Sequence, residues 1–244
     1  MSSRIYHKHG DSEGPQGEDI SWLLSPPHWG FLIYRCDYRS DAAWNTFINN
    51  WSRRVKAYLT SQYSTTEFAD KLLFTVQNDR ASLNNASIEQ VHKLFSTWIR
   101  SDEAYAERKV SGYGHISFPR YTYCVRVDAQ ALDSCLEWFA RTREYADPWM
   151  MSEEYDCESG KKAYVNIVRA EEELYFTPEL EEEVREVFPE DEEFEDDGEE
   201  DKGPVAVKME LWCVVPAVYT RIFLITDPGR WDCFHRDGTN ICSI

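Results

Sequence analysis

A chain of 244 residues that is 42% hydrophobic and 14% aromatic has enough apolar material to build a core, which excludes a wholly disordered or fibrous protein. The formal charge of −18 is local: 18 of the 44 acidic residues and a single base, Arg185, fall between Glu171 and Asp201, leaving 26 acidic and 25 basic residues elsewhere. A near-neutral remainder argues against nucleic-acid binding through a basic surface, since phosphate contacts dominate such affinity.

No apolar run approaches the roughly 20 residues needed to span a bilayer. The first 20 residues are polar and lack the apolar stretch of a secretory signal. The expectation is a soluble intracellular protein, cytoplasmic or nuclear, without a membrane partner. Seven cysteines, an odd number with no CxxC pair, argue against a disulfide framework; Cys36, Cys124, Cys135 and Cys213 sit among apolar neighbours and read as buried thiols.

In chain order, residues 1–20 read as a disordered tail. Ser25-Pro26-Pro27-His28 is a rigid turn leading into an apolar run over 29–36 that reads as a first strand. Ser40 or Asp41 then caps a helix on which Trp44, Phe47, Ile48, Trp51, Val55 and Leu59 recur at three- and four-residue steps. Residues 71–77 form a second strand. Ser87 and Gln90 match a capping box, opening a helix with Val91, Leu94, Phe95 and Trp98 on one face. A glycine-containing loop around Gly112 and Gly114 precedes a third strand over 120–127. Asp128 caps a third helix carrying Leu132, Cys135, Leu136 and Phe139, and residues 163–168 form a fourth strand. The acidic stretch 171–203 is too polar to bury and reads as a largely disordered insertion. Residues 205–209, 211–215 and 222–225 are β-rich and return to cover or extend the sheet.

The order β-α-β, an extra helix, then β-α-β predicts an α+β fold: a ferredoxin-like plait with a helical insertion and extra C-terminal strands. Residues 21–170 and 204–244 form one domain in this reading. Helices cover one sheet face, to which alternation assigns Val125, Val127, Val165 and Ile167. The other face carries Tyr34, Gln77, Arg126 and Asn166, which become the candidate binding residues if the C-terminal strands close a pocket over them.

Candidate chemistry is sparse. His115, in the glycine loop, is the candidate general base, with no partner identified. Asp79-Arg80 orients a substrate or closes a turn. Cys233, His235 and Cys242 supply three ligand types without the paired spacing of a structural zinc site, so no metal is expected. No glycine-rich phosphate loop, zinc-protease or hydrolase-elbow motif is present, and no cofactor is expected.

The run Trp29-Gly30-Phe31-Leu32-Ile33-Tyr34-Arg35, then Ser40-Asp41-Ala42-Ala43-Trp44, Thr75-Val76-Gln77-Asn78-Asp79 and Arg120-Tyr121-Thr122-Tyr123-Cys124-Val125, resembles a large group of proteins of filamentous ascomycete fungi. The likeness spans about residues 29–168 and implies a soluble fungal protein. The group has no established activity, so the resemblance implies no site residue.

These readings favour a non-enzymatic binding or interaction protein, its partner an unknown protein or small molecule, with the acidic segment as an accessory docking element. The alternative is a cofactor-free enzyme acting on a small metabolite on the open sheet face. There Arg126 holds an anionic group, Tyr34 and Asn166 orient it, and His115 moves protons. A third reading is a homodimer formed sheet to sheet.

Overall fold

The computed structural model describes residues 24, 27–110, 119–142, 163–170, 205–211, 214 and 241–242. The elements are β1 (Leu32–Arg35), α1 (Asp41–Tyr63), α2 (Glu67–Lys71), β2 (Thr75–Gln77), α3 (Arg80–Leu83), α4 (Ile88–Ile99) and α5 (Asp102–Val110), then α6 (Pro119–Thr122), β3 (Tyr123–Val127), α7 (Ala129–Arg141), β4 (Tyr164–Arg169), β5 (Ala206–Glu210) and β6 (Ile241–Cys242). The class is α+β with a mixed sheet, ordered β2-β1-β3-β4-β5-β6.

β1 is parallel to both neighbours, β2 and β3, whereas β4 runs antiparallel to β3 and β5 antiparallel to β4. This departs from the expected plait, in which neighbouring strands are antiparallel and one face stays bare of helices. The physical reason lies in the crossovers. From β1 the chain adds a parallel strand on one side, and from β2 it passes back over β1 to add another on the opposite side. Parallel crossovers are almost always right-handed, so two steps in opposite directions put their helices on opposite faces.

Both faces are accordingly buried. On one, Ile33, Val125, Val127, Val165, Ile167, Val207 and Met209 pack against Trp44, Phe47, Trp51, Val55 and Leu59 of α1 and Leu132, Cys135 and Phe139 of α7. On the other, Leu32, Tyr34, Cys36, Cys124 and Val168 pack against Val91, Phe95 and Ile99 of α4. The alternating strand residues thus sort by parity, as a pleated sheet requires. β5 and β6 lengthen the sheet beyond β4.

Caps fix the helix starts. Ser40 accepts from the Ala43 amide at α1, Asp128 from the Ala131 amide at α7, and Ser87 with Gln90 completes the reciprocal box at α4. Within α1, Trp44, Phe47 and Trp51 form a continuous aromatic row, and Trp51 stacks on Phe74 at 4.4 Å between ring centroids. Cys36, Cys124 and Cys135 are buried free thiols. Burial pushes Cys36 up to about 11 and Cys135 up to about 12.

The tail 1–20, the acidic stretch 171–203, the loop carrying His115 and the strand expected over 222–225 lie outside the described residues, as do Cys233 and His235. Among the described residues no helix is long and apolar enough to cross a membrane, and no three His, Cys, Asp or Glu side chains converge as a metal site.

Candidate functional site

The four residues expected to bind are brought into one row. Strand register sets Gln77 opposite Tyr34, Tyr34 opposite Arg126, and Arg126 opposite Asn166. The row lies near the carboxyl ends of the three parallel strands. It forms no open pocket floor, because α4 and the loop before it lie over this face. Tyr34 is 3% exposed and meets Phe95 edge-on at 6.4 Å. Burial, reinforced by the neighbouring thiols Cys124 and Cys36, holds its phenol far above the ordinary value.

Arg126 donates through Nη1 to Asp128 Oδ2 at 2.6 Å and through Nε to the Ala86 carbonyl at 2.9 Å. Asn166 Nδ2 donates to the Arg126 carbonyl at 3.3 Å and to Asp128 Oδ2 at 3.4 Å. Asp128 therefore caps α7, holds Arg126 and receives Asn166 at once. Arg35, at the end of β1, is similarly engaged by the Asp37 carbonyl, Asn78 and Asp41. Asp79 caps α3 through the Ala81 amide at 3.0 Å and accepts from Ser82 Oγ at 2.7 Å, so it closes the turn after β2.

A concave site opens at the opposite end of the parallel strands. A cleft of about 400 Å³ is lined by Pro27, His28, Leu73, Glu103, Ala106, Glu107, Arg120 and Tyr121. Each wall follows from local sequence. Pro27 and His28 end the turn that delivers the chain to Trp29, whose amide donates to the Lys71 carbonyl and whose indole donates to the Phe68 carbonyl at 2.9 Å. Leu73 follows the isolated bridge between Trp29 and Leu72 and remains 40% exposed at the rim. Glu103, Ala106 and Glu107 are spaced three and four apart on α5, hence on one helix face. The single turn α6 supplies Arg120 and Tyr121.

Arg120 is only 3% exposed. Its Nε donates to Glu107 Oε2 at 2.9 Å and its Nη2 to Glu107 Oε1 at 3.3 Å and Thr75 Oγ1 at 2.8 Å. This two-point ion pair ties α6 to α5 and to the start of β2. The remaining nitrogen, Nη1, is enclosed without a hydrogen-bond acceptor among the described residues. Leaving a buried charged donor unmatched costs about 1–3 kcal/mol or more. Behind the cleft, Arg120 lies over the Trp98 ring at 5.8 Å, and Tyr121 stacks on Trp98 at 6.0 Å. Trp98 in turn stacks on Phe95, so an aromatic ladder joins the cleft wall to the core under α4. The carboxylate of Glu103 and the imidazole of His28 make no hydrogen bond or ion pair among the described residues, and both residues are exposed.

Sequence reasoning placed the site on the sheet face expected to be free of helices and missed the cleft. A signal was present in the Glu103, Ala106 and Glu107 spacing, but the partner Arg120 had been assigned to a strand. No family model, curated protein or solved structure matches this chain.

Proposed function

We propose that this protein is a non-enzymatic binding protein that takes a small, largely apolar ligand in the cleft between the Pro27–His28 turn, Leu73, α5 and α6. The observation that carries the reading is the character of this concavity: largely apolar walls beside a buried arginine held rigidly by Glu107 and Thr75. Ligand sites are typically pockets of this kind, mostly apolar with a few fixed polar groups. Catalysis needs a proton-transfer group with an oriented partner, and the cleft offers His28 without one. The row of Tyr34, Gln77, Arg126 and Asn166 then serves as an internal brace under α4. We further propose kinship with the fungal group that the sequence resembles.

Binding is tested by ligand-detected NMR with a fragment mixture, comparing the full chain with Leu73→Trp. Leu73 is 40% exposed, so the larger side chain fills the cleft mouth without entering the core. Fragments that bind the parent chain and are released by L73W support the reading. Fragments bound equally by both, or none bound by either, overturn it.

A further inference from the structure

We infer that the cleft selects small organic cations, an ammonium group carried on an apolar or aromatic body. This rests on the binding reading above and names the class of ligand it favours.

The argument is one of charge remaining after internal pairing. Two carboxylates and one guanidinium line the cleft beside the imidazole of His28. Glu107 is matched by Arg120 through two hydrogen bonds and also accepts from the Tyr121 hydroxyl at 3.3 Å. Glu103, one turn earlier on α5, has no ionic partner among the described residues, so the cleft retains one unmatched negative charge at its rim. The Arg120 guanidinium, though positive, is already paired with Glu107 and is 3% exposed, so it presents no free charge to an anion. Among the described residues that line the cleft, an anionic ligand meets the Glu103 carboxylate with no unpaired guanidinium or ammonium to offset it. An ammonium ligand meets Glu103 directly, with Pro27, Leu73, Ala106 and the Tyr121 ring receiving its apolar body.

The test uses three probes with one body and different charge: benzylamine, benzyl alcohol and benzoate, titrated into the full chain and followed by amide chemical shifts. The expected order of affinity is benzylamine, benzyl alcohol, benzoate, with shifts at Leu73, Ala106 and Tyr121. Glu103→Gln should weaken benzylamine roughly threefold to tenfold and leave benzyl alcohol unchanged. Raising salt should narrow the gap between the two in the parent chain. If benzyl alcohol binds the cleft as tightly as benzylamine, or E103Q leaves the preference intact, the cation inference fails while the binding reading stands. If benzoate binds best at the cleft, the inference is likewise overturned. Failure of all three probes to bind at Leu73 and Tyr121 contradicts both.

Discussion

Gly30 holds the rim of the cleft in place through its backbone alone. It has φ +122°, a region side-chain-bearing residues rarely adopt, and a Cβ there would lie 2.5 Å from the Leu73 carbonyl oxygen. The neighbouring Trp29 carbonyl accepts from the Leu73 amide at 2.8 Å, so the two segments cannot separate to relieve the clash without losing that bond. Gly30→Ala should cost about 2–4 kcal/mol, combining backbone strain with overpacking. Urea denaturation measures this, and an unshifted midpoint would contradict the close approach. At the other end of β1, burial alone would raise the Asp37 carboxyl, but hydrogen bonds from the Arg39 side chain and amide, with the charges of Arg39 and Arg35, outweigh it and hold it below its ordinary value. A carboxylate depressed in the folded state stabilises the fold above its unfolded value, near about 3.9, and that contribution disappears as pH falls through the folded value. Asp37→Asn should therefore be less stable than the parent at pH 7, and the difference should shrink as the pH is lowered below about 4. Thermal melts across that range show the convergence, and a constant gap would assign the loss to something other than the charge.

Elements with a chemical start signal were legible; those defined by their neighbours were not. Ser40, Ser87 and Asp128 each cap the helix that the sequence reading gave them, because a side-chain acceptor matching an orphan amide is a local event. At α4 the box is reciprocal, with the Ser87 amide donating to Gln90 Oε1 at 2.8 Å and the Gln90 amide donating to Ser87 Oγ at 3.2 Å. Ser87→Ala should cost about 1 kcal/mol, visible as a lowered melting temperature, while Ser87→Asp should restore most of it. No loss on S87A would mean that α4 is held by packing alone. By contrast, the strand read over 71–77 shrinks to Thr75–Gln77, since Lys71 ends α2 and Leu72 reaches only an isolated bridge. Residues 120–122 read as strand from their aromatics, yet Pro119–Thr122 form a helical turn whose Arg120 turns to Glu107. That contact joins positions 13 apart, across a segment whose length says nothing of where it returns. α5 was missed because it is polar. Its signal was Ser101 ahead of Asp102 and Glu103, and Ser101 Oγ accepts from the Ala104 amide at 3.3 Å.

At the scale of the molecule, the adjacency of the first and third strands was readable, and so was the alternation that sorts Val125 and Val127 from Cys124 and Arg126. The side of β1 on which β2 is added was not. Both solutions satisfy the same periodicity, and the choice between them decides whether α4 covers the second face. That choice moves the functional argument from the middle of the sheet to its end. With α4 in place, Tyr34 is a core residue and the concavity lies beyond the strand starts, among Leu73, Glu103, Arg120 and Tyr121. The most direct test of this account is a nuclear Overhauser experiment on selectively labelled aromatic rings of the full chain. Cross-peaks between Tyr34 and Phe95, together with contacts from Phe95 to Trp98, are predicted by the closed face. Their absence, with Tyr34 instead contacting residues beyond 205 or an added fragment, would contradict it.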